Sequence, residues 1–224
     1  MRDPALYAYA KEFSSFEISV VKKLCKWPAE CAVPVLDLWR CLVLHHGSQI
    51  FFSGVDSGMP IIAALVGKLK SGSPVLWTIF YKFLSNLFIH ASNSIALVRA
   101  KDIVHEGYKA MNKNDTKVTN LYANYLLNCS SNVDLIPSAT DAFISEQFNN
   151  GQELILTGTL DDEATLKLAI AFGNFLTLKP SATGTERKGV QACIDKIKQT
   201  QDTLTKSVVD GLNDILTEER VDSQ

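Results

Sequence analysis

The sequence has few of the features that mark secreted or membrane-spanning proteins. Its five cysteines contain no CxxC pair, and their odd number argues against a disulfide framework. The most apolar stretch, Val75 to Ala91, is interrupted by Lys82, Asn86 and His90. It therefore falls short of the run of about 20 apolar residues that a transmembrane helix needs. We expect reduced thiols and a buried helix rather than a membrane span.

The sequence also lacks a large excess of either positive or negative charge. The 224 residues include 22 Lys and Arg against 24 Asp and Glu, and the pI is near 6.1. Phosphate binding needs many clustered cations, and the sequence has no such cluster. The acidic surplus lies at the C-terminus, where Asp202 to Gln224 holds six acids and two bases. We expect no nucleic-acid partner.

A secretory signal is missing as well. No apolar segment with a cleavage site follows Met1 to Pro4. The expected location is therefore the cytosol or the nucleus, which agrees with reduced cysteines.

Motifs for catalysis, metals and cofactors are incomplete. Gly54 to Gly58 lacks the GxSxG spacing, and Gly184 to Gly189 lacks the Lys and Ser/Thr that end a P-loop. Cys41 and His45 lie four residues apart on a predicted helix, but one such pair cannot complete a zinc site. We place His45 and His90 at helix C-termini, where histidine favours the helix dipole. We expect no enzymatic activity, no metal and no cofactor.

Apolar residues recur at every third or fourth position, which predicts helices nearly throughout. Alternating apolar runs bounded by Asn-Gly or Asp-Gly turns, which would indicate β-hairpins, are missing. The first helix has a capping box formed by Ser14 and Glu17. Capping residues and prolines place the helix starts near Ser14, Pro34, Pro60, Pro74, Ser94, Asp115, Ser138, Asp161, Thr185 and Asp202.

An internal repeat sets the predicted architecture. Arg40, Lys82, Asn124 and Lys167 lie 42, 42 and 43 residues apart, each inside an apolar segment, and this period is typical of HEAT and armadillo arrays. Each unit pairs a very apolar helix with a more amphipathic one, because a single repeat cannot bury its own face. The amphipathic helices are predicted at 59–70, 95–111, 138–149 and 187–199. The fold class is therefore predicted to be all-α, an armadillo/HEAT-like α-solenoid with a concave inner surface.

Polar residues four apart share a helix face and form stripes on the apolar helices. Arg40 lies between Leu36 and Leu44, and a cation among apolar neighbours is costly unless it is solvated or paired. We therefore interpret the basic positions as functional. The asparagines either bind peptide backbone or hydrogen-bond neighbouring backbone. The stripes are Thr78, Lys82 and Asn86, then Asn120, Asn124 and Asn128, then Glu163 and Lys167.

Stacking of the repeats would join these stripes into one polar track. Spaced cations along a groove suit an extended acidic peptide, because they steer its approach. The predicted peptide-binding residues are Arg40, Lys82, Asn86, Asn120, Asn124 and Lys167. Tyr81 and Tyr122 are left out of the site, since a place in the core suits them at least as well.

Three motifs carry a resemblance to a known family. They are Trp27-Pro28 with Val33-Pro34-Val35-Leu36-Asp37-Leu38-Trp39-Arg40 and Val43-Leu44-His45-His46, then Tyr81 to Phe88, then Glu163 to Gly173. Together they resemble the PUL domain, which forms the C-terminal part of phospholipase A-2-activating protein and its relatives. The similarity runs over roughly residues 14–215.

The resemblance implies a binding module without chemistry of its own. PUL domains are armadillo-like and use a basic groove to bind the C-terminal tail of the hexameric AAA ATPase valosin-containing protein. The implied role is that of an adaptor in ubiquitin-dependent turnover and sorting, with ubiquitin bound by N-terminal modules outside this sequence. The chain is then expected to be a fragment, with an N-terminal flank at 1–13, the PUL domain at 14–217 and a tail at 218–224.

Carried onto this sequence, the groove arginine corresponds to Arg40 and the later basic positions to Lys82 and Lys167. Lysine keeps the charge but lacks the planar bidentate fork of arginine. Two other functions stay open: a docking domain of a thioredoxin-like or cysteine-peptidase enzyme, and a scaffold that binds another acidic peptide. A further prediction is that the acidic segment Asp202 to Asp222 folds back over the groove.

Overall fold

A computed structural model describes residues 12–53, 58–69, 73–132, 141–178, 184–198 and 206–212. Among these residues the chain forms two compact units, the first ending at Met111 and the second beginning at Asn112. No β-strand occurs in the described ranges, and the fold is all-α as predicted. No helix in these ranges has both the length and the apolar character needed to cross a bilayer.

The first unit contains six α-helices and three short 3-10 helices among the described residues. The α-helices are α1 (Ser15–Leu24), α2 (Ala32–Leu42), α3 (Met59–Lys68), α4 (Pro74–Asn86), α5 (Ala91–Arg99) and α6 (Lys101–Ala110). The 3-10 helices are Ala29–Cys31, His46–Phe51 and Leu87–Ile89.

The second unit is built from longer helices. They are α7 (Thr116–Asn132), α8 (Asp141–Thr157), α9 (Asp162–Leu178), α10 (Gly184–Ile197) and α11 (206–212).

Local capping chemistry fixes several helix starts where the sequence predicts them. At α1 the Ser14 hydroxyl accepts from the Glu17 amide and the Glu17 carboxylate accepts from the Ser14 amide, so the predicted capping box is present. Asp115 accepts from the Val118 amide at the start of α7, and Asp161 accepts from the Ala164 amide at the start of α9. These caps satisfy backbone N–H groups that have no partner within the helix. The predicted starts at Ser138 and Asp202 lie outside the described residues.

The predicted helix over 95–111 is wrong in one respect, because the structure divides this region. Helix α5 begins at Ala91, earlier than the predicted Ser94, and ends at Arg99. Ala100 separates it from α6 with φ −92° and ψ 13°, outside the helical region. The early start follows from His90, whose extended backbone lets its carbonyl accept from the amides of Asn93 and Ser94.

Within each unit, helices pack on the helices that follow them by about one repeat period. In the first unit α2 packs on α4 and α3 on α6, and in the second unit α7 packs on α9 and α8 on α10. Side-chain hydrogen bonds between these layers join Asn93 to Ser48, Thr119 to the Thr159 carbonyl, and Asn174 to Ser130. Their sequence separations are 45, 40 and 44 residues, close to the predicted period. Helices that stack on their counterparts one repeat later are the packing of an α-solenoid, the predicted fold class.

Aromatic side chains fill the core of each unit. In the first, the buried Trp39 meets the ring of Phe51 edge-on at 5.2 Å between centroids. In the second, Phe148 and Phe172 are 5.1 Å apart. Burial of each such ring contributes about 1.5 to 3 kcal/mol. Tyr81 and Tyr122 are also fully buried, which agrees with leaving them out of the site.

Candidate peptide-binding site

In the first unit, the packing of α2 on α4 brings together three of the predicted site residues. The Asn86 amide donates to the carbonyl oxygen of Arg40 at 2.9 Å. This bond ties the C-terminal turn of α4 to the last turn of α2 and satisfies a carbonyl that has no partner within its own helix. Lys82 lies one turn before Asn86 on the same face of α4.

Arg40 lies beside an acidic residue of its own helix. Its Nε donates to Asp37 Oδ1 at 2.8 Å, and its Nη2 lies 2.7 Å from the same oxygen. The Asp37 hydrogen bond raises the pKa of Arg40, so the guanidinium stays charged. The Arg40 side chain is 30% exposed. Arg40 is therefore paired and partly solvated, whereas its apolar neighbours in the sequence indicated an enclosed position.

The guanidinium of Arg40 keeps unused donors. Arginine carries five N–H donors, and Asp37 accepts from Nε and Nη2 only. In the described part of the chain, Nη1 donates to no other group. A carboxylate of a bound peptide could therefore share the guanidinium with Asp37.

Lys82 is the most available cation of the predicted site. Its side chain is exposed, and within the described ranges it makes no hydrogen bond or ion pair. A lysine in this state is a solvated positive charge on a flexible stem, suited to attract an anion without losing an existing partner.

Apolar residues flank this cation along α4. Val75 is exposed and Ile79 is half-buried, and both share the face of Lys82 and Asn86 by their spacing. Ile89 is exposed just after the helix. The face therefore offers a positive charge between apolar contacts.

In the second unit, the packing of α7 on α9 joins Asn120 and Lys167. The Lys167 ammonium donates to Asn120 Oδ1 at 2.7 Å and forms an ion pair with Glu163 on its own helix. Only 15% of the Lys167 side chain is exposed. Lys167 therefore lies at the predicted position but already has an anionic and an amide partner.

Acidic residues dominate this part of the second unit. The Asn120 amide donates to both oxygens of Asp161 at 3.1 and 3.2 Å, and to Glu163 at 3.4 Å. The hydrogen bond from Lys167, followed by the one from Asn120, lowers the pKa of Glu163. The cluster therefore holds two carboxylates and one ammonium and is net negative.

Asn124 lies one turn after Asn120 on α7 and is half-buried. Its side chain makes no hydrogen bond within the described residues. An amide with a free donor and a free acceptor can pair with the backbone of an extended peptide. The two asparagines therefore differ: Asn120 is engaged inside the protein, and Asn124 is available.

Two lysines that the sequence does not single out have structural roles. The Lys68 ammonium is nearly buried and donates to the Trp27 carbonyl, and the Lys196 ammonium donates to the Ile155 carbonyl. Both pairs are separated by 41 residues. Because each pair spans about one repeat period, that period in the sequence could have indicated both lysines.

In the described ranges, no group of three or more His, Cys, Asp or Glu side chains could hold a metal ion. His45 follows α2 and caps the next 3-10 helix, its Nδ1 accepting from the Gly47 amide at 3.1 Å, and His90 precedes α5. The prediction that His45 ends a helix is therefore wrong, whereas His90 does end one, the 3-10 helix Leu87–Ile89. All five cysteines are free thiols, and burial raises the pKa of Cys193 to about 12, which makes that thiol unreactive.

Comparison with family models adds the deciding observation. The model of the PUL domain matches residues 4–211, which include nearly every described helix of both units. This chain belongs to the PUL domain family. The PUL domain is a protein-interaction domain, so this PUL domain is a protein-binding module. Comparison of the chain with curated proteins and with solved structures found no match.

Proposed function

We propose that this PUL domain binds the acidic C-terminal tail of the AAA ATPase valosin-containing protein. In this role it is the docking part of an adaptor in ubiquitin-dependent protein turnover and sorting, in the cytoplasm or nucleus. Family membership supports a protein partner, and the resemblance described above supports this particular one.

The observation that carries the proposal is the free charge of Lys82. Lys82 has an exposed ammonium on α4, and α4 packs on α2, which carries the partly exposed guanidinium of Arg40. Both cations attract a carboxylate-bearing peptide. Neither cation has to leave a buried partner to meet the ligand. Asn86 fixes the last turn of α2 through the Arg40 carbonyl and so positions the backbone that carries the guanidinium.

The face also offers contacts for uncharged parts of a tail. Val75 and Ile79 precede Lys82, and Ile89 follows it. Apolar side chains of a peptide bound along α4 would lose water on either side of the charge, which adds affinity beyond the ionic contact.

Because of its charges, we expect the second unit to contribute less to the binding of an acidic tail. Lys167 is balanced by Glu163, and Asp161 adds a second carboxylate to the same cluster. Like charges brought together oppose binding. Among the described residues of this unit, Asn124 has a side chain that can pair with peptide backbone.

The test is direct binding of a fluorescently labelled tail peptide of valosin-containing protein, followed by anisotropy at two salt concentrations. We expect the wild-type domain to bind and salt to weaken binding. Lys82→Ala and Arg40→Ala should each lower the affinity by about tenfold, the effect of losing one charged contact. Lys117→Ala, an exposed lysine of the second unit, is the matched control and should bind as the wild type does.

Two further peptides decide between the proposal and a general acidic-peptide scaffold. A tail with its C-terminal carboxylate amidated tests whether that group is recognised. A tail of the same composition in shuffled order tests whether charge alone is sufficient. Equal binding of the shuffled peptide, or no binding by a folded wild-type domain, contradicts the proposal.

A further inference from the structure

Helix α1 exposes an apolar stripe that the peptide-binding site does not use. None of its residues is buried. Phe16 is 75% exposed, Val20 41%, and Trp27, in the turn after the helix, 48%. Residues four positions apart share a helix face, so Phe16 and Val20 lie together on α1, and Trp27 follows in the turn. These three exposed side chains are called the apolar stripe.

The ends of this segment are attached to the rest of the first unit. Before α1, the ring of Phe13 lies 4.8 Å from the ring of His45 and 5.5 Å from that of Phe51. After α1, the Trp27 carbonyl accepts from the nearly buried Lys68 ammonium. The stripe therefore belongs to a helix that is fixed at both ends.

Three lysines accompany the stripe. Lys23 shares the face of Phe16 and Val20 by helical spacing, Lys22 precedes it on α1, and Lys26 lies in the turn before Trp27. All three are exposed, and in the described part of the chain none forms an ion pair. Glu17, the one acid of α1, is engaged with Ser14 in the capping box. The segment from Ser15 to Trp27 thus carries three exposed lysines against one carboxylate, which is engaged in the capping box.

We propose that α1 is a membrane-contact helix that places this stripe on the surface of a bilayer containing anionic lipids. Phe16, Val20 and the Trp27 indole enter the boundary between headgroups and acyl chains, where tryptophan is favoured. The lysines extend their ammonium groups toward the lipid phosphates and carboxylates.

The shape and position of the stripe favour a bilayer over an acidic protein segment. A peptide binds best in a groove between two elements, and the cations beside such a seam are Arg40 on α2 and Lys82 on α4. The exposed side chains of the stripe lie on one helix and the turn that follows it, with no second element shown beside them in the described residues. Large apolar side chains on a single helix match the soft, extended surface of a membrane. This proposal does not depend on the binding of an ATPase tail.

Vesicle binding of the whole 224-residue chain tests the proposal. The probes are vesicles of phosphatidylcholine alone and of phosphatidylcholine with phosphatidylserine, and the readouts are co-sedimentation and tryptophan emission. Trp39 and Trp77 are buried, so a blue shift on binding reports on Trp27. We expect sedimentation and a blue shift with the anionic vesicles, both weakened by salt.

Variants of α1 separate the two contributions. Phe16→Ser should weaken binding by about tenfold, because one large apolar side chain no longer leaves water. Lys22→Glu, Lys23→Glu and Lys26→Glu together should remove binding, since each lysine near an anionic surface contributes about a fivefold factor. Trp27→Phe should keep most of the sedimentation and lose the spectral shift.

Matched controls guard against general effects of charge and apolarity. Lys117→Glu, Lys198→Glu and Lys206→Glu together make the same change of charge at exposed positions of the second unit. Leu156→Ser removes a side chain that is 48% exposed in the second unit. Both controls should bind vesicles as the wild type does, and circular dichroism should show that all variants are folded.

Several results would overturn the proposal. One is the absence of sedimentation with anionic vesicles. Another is an equal loss in the two triple-lysine variants, which would show that net charge alone drives binding. A third is a Trp27 spectral shift with soluble poly-glutamate as large as that with vesicles, which would indicate an acidic protein partner instead.

Discussion

The two units place polar residues at equivalent repeat positions but leave different charges available. In the first unit Lys82 is free within the described residues, and Arg40 shares one carboxylate while keeping unused donors. In the second unit Lys167 is engaged by Glu163 and Asn120. The repeat period fixes where a side chain emerges, whereas residues one turn away decide whether its charge is available to a ligand.

The largest expected effect is a difference in tail binding between substitutions of Lys82 and of Lys167. Lys82→Glu should weaken binding of the ATPase tail peptide by more than about tenfold, because a free cation becomes a repulsive anion. Lys167→Glu makes the same change of net charge in a cluster that is already acidic, and should change affinity by less than about threefold. Anisotropy titrations of both variants at low salt measure the difference. Equal losses would show that the two units bind the tail alike.

The second prediction concerns the two asparagines of α7. Asn120→Ala removes hydrogen bonds to Lys167 and Asp161 and should lower the free energy of unfolding by about 1 kcal/mol. Asn124→Ala removes no hydrogen bond within the described residues and should leave stability nearly unchanged. Urea unfolding followed by circular dichroism compares them. A larger loss for Asn124→Ala would mean that its amide has a structural partner.

The third prediction tests whether Asp37 competes with the tail peptide for Arg40 in the first unit. Asp37→Asn removes the carboxylate that competes for Arg40 and should raise affinity for the tail peptide about threefold, the size of a modest surface ion pair. Asp102→Asn, which changes an exposed carboxylate on α6, is the matched control. An unchanged affinity in Asp37→Asn would place the tail away from Arg40.

The smallest expected effect is the lowered pKa of Glu163 in the second unit. The hydrogen bond from Lys167 lowers the pKa of Glu163 below its ordinary value of 4.5. A depressed carboxyl pKa adds stability above the unfolded-state value, and that stability is lost as the pH falls through the folded-state value. An NMR titration should place the Glu163 midpoint below 4.5, and Lys167→Gln should move it back toward 4.5. A midpoint that does not move would rule out Lys167 as the cause.

Structural features that depend on a few neighbouring residues could be predicted from the sequence. The capping box of Ser14 and Glu17 and the caps at Asp115 and Asp161 depend on side chains within three residues of the groups they bind. The stacking of α2 on α4 and of α7 on α9 follows from a period that recurs along the chain. Local chemistry and repetition are both visible without coordinates.

The state of each polar side chain was harder to predict. Arg40 and Asp37 are three residues apart and Lys167 and Glu163 are four apart, so both ion pairs are compatible with helical spacing. The apolar neighbours of Arg40 concealed the first pair, because sequence alone does not show which helix face is solvated. Pairing also depends on partners from another helix, as Asn120 shows for Lys167.

The break between α5 and α6 had no local signal. Ala100 is a good helix former, and the sequence around it contains neither glycine nor proline. The early start of α5 accompanies the buried hydrogen bond between Asn93 and Ser48, which lie 45 residues apart. Helix propensity therefore does not set the break at Ala100.

The near-constant distance along the chain between hydrogen-bonded partners has a consequence for protein synthesis. Bonds between stacked layers join residues 40 to 47 positions apart, as between Asn120 and Lys167 or Thr119 and Thr159. At a translation rate of about 5 to 20 residues per second, a helix waits only about 2 to 9 seconds for its partner to be made. Apolar faces of each new helix are thus unprotected for a short and uniform time, and the nascent chain can fold in order from its N-terminus.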